Sequence, residues 1–285
     1  MNVERPEYVV ERIERPTDID ISIKRSALAQ FLDREITRKA AVLLLVAITW
    51  ELYVRIGDVN ALLFPGFLET CAALWETILS GEIFRKAYYS FRILAFGYPI
   101  GILLAAVLIV LASSTRIGRD FLGLITSIFQ PLPAIALLPL ATIWFGFGTS
   151  SLVFVTVHSI VWAVALSTVA GFAAVGRTMV MVGENYGVTG INLIRLVLVP
   201  AALPSILTGL RIAWAFAWRT LIGAEVIFGA VSGEGGLGGM VFENSDWLRT
   251  DAVFATLVVI ILIGLAVENL VFINIEKMTV RKWQA

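Results

Sequence analysis

Cysteine and histidine are almost missing from this chain of 285 residues, which holds one of each, Cys71 and His158. A lone cysteine excludes an internal disulfide, and a single histidine beside it leaves no cluster for a structural zinc. Charge is scarce as well: Asp, Glu, Lys and Arg make up 15% of residues, and 22 basic side chains balance 22 acidic ones. With no basic block interleaved with aromatics, nucleic acid has no electrostatic footing as a partner. No Gly-x-x-x-x-Gly-Lys phosphate loop occurs, so the chain does not cradle the phosphates of ATP in the usual way. Neither a metal nor a nucleophile constellation marks an intramembrane enzyme. What the chain has is apolar surface, with 58% hydrophobic residues and a mean hydropathy of +0.86. That exceeds what a soluble domain can wet and points to an all-α integral membrane protein in a lipid bilayer.

Residues 1–39 read as a cytosolic N-terminal extension and residues 40–285 as the membrane domain. The first 35 residues mix acids and bases and lack the apolar core of a secretory signal. They fit either an unfolded tail or a short amphipathic helix on the membrane surface. A hydrocarbon core of about 30 Å needs roughly 20 apolar helical residues. Six segments qualify, at 40–56, 93–112, 121–147, 152–175, 203–229 and 252–275, the first interrupted by Glu51. Lys and Arg concentrate on one side of such a six-span path, at Arg34, Arg38, Lys39, Arg116, Arg119, Arg177, Arg195, Lys277, Arg281 and Lys282. The opposite loops are acid-rich, so both termini are expected in the cytosol.

Two outer segments stand out. Residues 63–90 are amphipathic at helical spacing and begin after Pro65 and Gly66, which predicts one helix along the outer face. Residues 229–251 carry glycine at 229, 233, 235, 236, 238 and 239, which suits irregular backbone close to a partner or a pore mouth.

Polar and helix-breaking residues inside the spans mark a candidate pathway. Pro131, Pro133 and Pro139 each remove an intrahelical donor, and freed backbone groups survive in hydrocarbon only against protein or a water-filled cavity. The two readings are a pathway lining and kinks that merely shape packing. Gln130 beside them offers an amide to backbone or solute. The fifth span holds Arg211, Arg219 and Glu225, and intramembrane charge is costly enough to suggest function. Arg211 and Arg219 lie about 80° and about 12 Å apart on a helix, so both can face one interior. Arg219, the deeper, either meets an anion or pairs with Glu225 or Glu268 as a helix lock. His158 in the fourth span is either a satisfied interior residue or a ligand. Trp144, Trp162, Trp214 and Trp218 read as packing or interfacial anchors. Gly97 and Gly101, in "GYPIG", suit a close helix contact.

Between the fourth and fifth spans lies "MVGENYGVTGINLIRLVLVPAALPS" at 181–205, far longer than a turn needs. The spacing of Gly187, nine residues, then Val197, Val199 and Pro200 resembles the cytosolic signature of ABC importer permeases, a Glu-Ala-Ala triplet, a Gly, a gap and Ile-x-Leu-Pro. In that register the triplet falls on Met181, Val182 and Gly183, which departs from the pattern; by position, Glu184 is the acid available. "FQPLPAIALLPLATIWFGFG" at 129–148, "ENYG" at 184–187, "LVPAALPSILTGLRIAWAFAWRTLIGAE" at 198–225 and "LRTD" at 248–251 are similar to permeases of nitrate, sulfonate, taurine and bicarbonate importers. The resemblance covers residues 63–275. It implies a type I (MetI-like) importer permease fold with six transmembrane helices in the bacterial cytoplasmic membrane. It also implies a coupling loop at 176–202 read by separate ABC ATPase subunits that carry ATP and Mg, a periplasmic or lipid-anchored substrate-binding protein outside, and a second permease copy. No cofactor is expected on this chain. Gly187 would permit the tight turn of a docking knob, and the prolines would end it. Glu225, Glu268 and His158 would also suit an ion-coupled secondary transporter, but such a carrier has no need of the loop.

Overall fold

The structure, a computed structural model, describes residues 35–113, 115–232 and 235–283. The extension expected over 1–39 lies almost wholly outside them. The chain divides into two compact units at Trp50, and the described part of the first is the opening of helix α1 (Glu35–Ile56). The regular structure of the second unit is helical: α2 (Phe67–Leu79), α3 (Glu82–Ser113), α4 (Arg116–Phe129), a 3₁₀ turn (Ala134–Leu137) leading into α5 (Leu138–Phe145), and α6 (Thr149–Ala174). Then come α7 (Arg177–Asn185), α8 (Ile191–Ala201), α9 (Leu203–Ser232), α10 (Leu237–Asp246) and α11 (Thr250–Val267). A π-turn at Glu268–Phe272 joins α11 to α12 (Ile273–Trp283).

Among the described residues four helical stretches are long and apolar enough to cross a membrane, Glu82–Ser113, Thr149–Ala174, Leu203–Gly229 and Thr250–Thr279, and a bent pair makes up to five. Six were expected. The first expected span is helical, as α1, but the ion pair Glu51–Arg55, 2.6 Å long, sits in its last turns. The stretch expected as one span at 121–147 is bent by 86° between Asp120–Phe129 and Ala134–Phe145. Pro131 and Pro133 remove two donors within three residues and disfavour helical backbone just before each ring, so a straight rod is not available there.

Two outer expectations are corrected. Residues 63–90 form two helices instead of one, because the chain breaks at Ser80 and Gly81, the latter at φ +73°, and the second half runs straight into α3. Most described residues of the glycine-rich stretch are helical instead of irregular, 229–232 closing α9 and 237–246 forming α10. A Cβ on Gly229 would lie 2.8 Å from Gly239 Cα, so these glycines let α9 and α10 cross closely.

Helix α6 is the hub, packed mainly on α9 and α3. Of its most apolar stretch 56% is buried, against 6% for the last span, which leaves the apolar side chains of that span facing outward. In lipid, apolar contact alone does not drive helices together, so close packing of small residues must. The Gly97/Gly101 pair does this: a Cβ on Gly101 would come 2.7 Å from Ile160 Cγ2 on α6. The α6–α9 crossing uses a reciprocal device, with Gly171 against Ser205 and Gly209 against Ser167, each 2.6 Å from an added Cβ. Tyr98 Oη donates to Leu210 O at 2.7 Å and pins α3 to α9.

Candidate functional site

A cavity of about 370 Å³ opens at the bend between α4 and α5, walled by α6 and α9. Five residues singled out from the sequence meet there: Gln130, Pro131 and Pro133 from the bend, His158 from α6 and Arg219 from α9. Arg219 donates from Nε to Ala215 O at 3.1 Å, and its guanidinium lies 5.1 Å from the centroid of the Phe216 ring. Neither expected acid pairs with it. Among the described residues no carboxylate is within ion-pairing distance of Arg219, because Glu268 is engaged by Arg211 at 2.5 Å and Glu225 is engaged elsewhere. Arg211 is therefore outside the cavity and ties α9 to the π-turn. One wall is aromatic: Phe129 and Trp162 stack at 5.3 Å and 9°, and His158 sits edge-on to both at 6.1 and 6.0 Å. Trp162 Nε1 and both ring nitrogens of His158 are buried, with no hydrogen-bond partner among the described residues. Gln130 also borders a second space of about 570 Å³ that reaches Val180, Glu184 and Leu193. The bend thus adjoins the segment between α6 and α9.

Glu225 lies apart from that cavity. It is fully buried, accepts from Ser90 Oγ at 2.8 Å and from the Gly238 amide at 2.9 Å, while Ser90 Oγ accepts from the Leu237 amide at 3.0 Å. The carboxyl group thus caps the start of α10, where amides lack helical partners and the helix dipole favours negative charge. Gly236 is needed beside it, since any Cβ there would overlap Ser90 and Glu225. Nearby, the buried Lys86 pairs with Glu243 of α10 at 2.5 Å. The clamp is not legible in the sequence because Ser90 and Glu225 are 135 residues apart: Glu225 stands out as a charge in a span, but nothing local names its partner. The α6–α9 small-residue device was findable: Ser167/Gly171 and Ser205/Gly209 are both spaced by four.

The segment 176–202 folds as a helical knob. Helix α7 ends in a Schellman motif, with Gly187 N donating to Glu184 O at 2.9 Å and Val188 N to Gly183 O at 3.0 Å, around Gly187 at φ +78°. A second left-handed glycine, Gly190 at φ +59°, turns the chain into α8. Helix α8 returns against α7 through Gly183, where a Cβ would sit 3.1 Å from Val197 Cγ2 and 3.2 Å from Leu193 Cδ1. Pro200 falls inside α8, after a π-turn at Ile194–Leu198 that absorbs its missing amide. It does not end the helix outright; the break comes at Ala202, before Pro204. Met181, Val182, Tyr186, Ile191 and Leu196 are exposed on this knob, Tyr186 by 84%, and Glu184 is exposed among them.

Residues 97–280, more than half of the chain, match the family of binding-protein-dependent transport system inner membrane components. The chain belongs to this family. It is 30% identical over 253 residues to the taurine transport system permease protein TauC of Escherichia coli (strain K12), covering 83% of this chain and 86% of that one. Over 220 residues it is also 30% identical to the E. coli protein named "Putative aliphatic sulfonates transport permease protein SsuC", covering 77% and 82%. The riboflavin transport system permease protein RibX of Chloroflexus aurantiacus is 24% identical over 243 residues, covering 85% and 88%. The chain is thus a multi-pass inner-membrane permease subunit of an ABC importer, a transport component and not an enzyme. Family membership implies separate ATPase subunits, where ATP and Mg reside, a substrate-binding protein and a second permease chain. Among the described residues no three His, Cys, Asp or Glu side chains converge as metal ligands.

Proposed function

We propose that the permease moves a small anion of the sulfonate, taurine, nitrate or bicarbonate class into the cytosol. Two copies of this chain form the pathway, each with six spans and both termini inside. A periplasmic or lipid-anchored binding protein hands the anion over. The knob at 176–202 docks on the ATPase, so that closure of the ATPase pair switches access between inside and outside. In the coupling register Met181, Val182, Gly183, Glu184 and Gly187 present one side of the knob, and Val197, Val199 and Pro200 hold the other. The names of the taurine and sulfonate relatives favour a sulfonate-type cargo.

One observation carries the anion reading. Arg219 stands about 15 Å along α9 from Gly229, well inside the span, beside a cavity and without an acid partner among the described residues. Arg219 is exposed on the single chain, and an unpaired guanidinium at that depth of a span is costly in lipid; a hydrated pathway with a passing anion offsets that cost. Gln130, Pro131, Pro133 and His158 share the cavity and belong to the pathway on this reading; Arg211 and Glu225 support it from outside. The test is Arg219→Gln in the reconstituted complex. Anion uptake should fall at least tenfold while the melting temperature of the complex stays within a few degrees. Unchanged uptake would refute the anion role.

A further inference from the structure

The dimensions and chemistry of the Arg219 cavity select among anions. At roughly 30 Å³ of liquid volume per water, about 370 Å³ corresponds to about a dozen waters, at the lower end of pockets that enclose organic ligands. The walls offer more than an oxyanion alone would need: beside Arg219 and the polar Gln130, Ser159 and Thr220 stand the stacked Phe129–Trp162 pair, His158 edge-on to both, Pro131, Pro133 and Ile135. The guanidinium spends only its Nε on the backbone, so its outer nitrogens remain as a fork for two oxygens of a sulfonate or carboxylate.

We propose that the permeating species is an organic anion with an apolar, preferably aromatic, body, its oxyanion on Arg219 and its body against the Phe129–Trp162 stack. This rests on the reading of Arg219 as the anion contact, and it sets aside the inorganic half of that class. Trp162 then acts as a specificity residue that holds the body of the cargo, not its charge.

The test uses the assembled permease–ATPase complex in nanodiscs, nucleotide-free, with equilibrium dialysis of radiolabelled benzenesulfonate and competition by nitrate. Benzenesulfonate should bind at a concentration at least tenfold below that at which nitrate displaces it. Trp162→Leu should weaken benzenesulfonate about two- to tenfold, the range expected for losing one aromatic face, and leave nitrate competition unaltered. Trp162→Phe, which restores a ring, should recover most of the loss and guards against misfolding as the cause. Equal binding of nitrate and benzenesulfonate, with Trp162→Leu changing neither but Arg219→Gln abolishing both, would overturn the organic-body proposal and leave the anion pathway standing. If Arg219→Gln changes neither, the anion contact itself fails, and this proposal with it. Absence of any benzenesulfonate binding up to tens of millimolar would also overturn it.

Discussion

Removing the Glu225 carboxyl group should loosen helix α10. In Glu225→Ala the Gly238 amide loses its acceptor and the Ser90 hydroxyl loses the group it donates to. Each buried group left unsatisfied costs about 1–3 kcal/mol, so the pair costs about 2–6 kcal/mol before the cavity left by the side chain is counted. Glu225→Gln keeps the shape and an acceptor oxygen for Gly238, so its cost should stay near 1 kcal/mol, the worth of one ordinary hydrogen bond. Ser90→Ala removes the same link from the other end, and the double variant should be less destabilised than the sum of the singles by about 0.5–3 kcal/mol, as for residues in one network. The assay is denaturant unfolding of the purified permease in detergent, followed by tryptophan emission. A Glu225→Ala protein within about 0.5 kcal/mol of wild type, or strict additivity with Ser90→Ala, would refute the clamp.

The remaining predictions concern the knob and the orientation. Gly187 sits at φ +78° with open space where a Cβ would go, so substitution there strains only the backbone, by about 1–2 kcal/mol for a side chain that resists the left-handed region. Gly187→Val should therefore uncouple uptake from ATP hydrolysis or prevent ATPase capture, while Gly187→Asn, whose side chain tolerates that region, should remain near wild type; equal behaviour of the two would exclude the turn as the cause. Cys71 is exposed on α2, which the six-span path puts outside. A membrane-impermeant maleimide should label it in sealed cells, and labelling only after lysis would reverse the topology.

How much of the fold and site is legible in the sequence depends on the reach of each interaction. The uncharged runs in α3 and α6 announce themselves, as does the long apolar run of α9 despite its three charges, and Pro131 and Pro133 mark the place where a nominal span must bend, though not the 86° it turns. Gly187 and Pro200 locate the knob because turn chemistry is local. Pro200 nonetheless reads as a terminator from sequence, whereas a π-turn hosts it without ending the helix. The glycines of 229–239 read as loop formers because a missing side chain serves irregular backbone and close helix crossing equally well. Arg211, Arg219 and Glu225 all stand out as intramembrane charges, yet which of them is paired depends on Glu268, Ser90 and the start of α10, partners that only the fold brings near.

On the function proposed above, this chain is a pathway whose motion a separate ATPase drives through the knob. Proteoliposomes holding the permease with its ATPase subunits and loaded binding protein test it most directly, by following cargo uptake against internal ATP. Uptake should require internal ATP and the ATPase subunits and should be lost with Gly187→Val. Uptake by the permease alone, driven by an ion gradient without ATP, would contradict it.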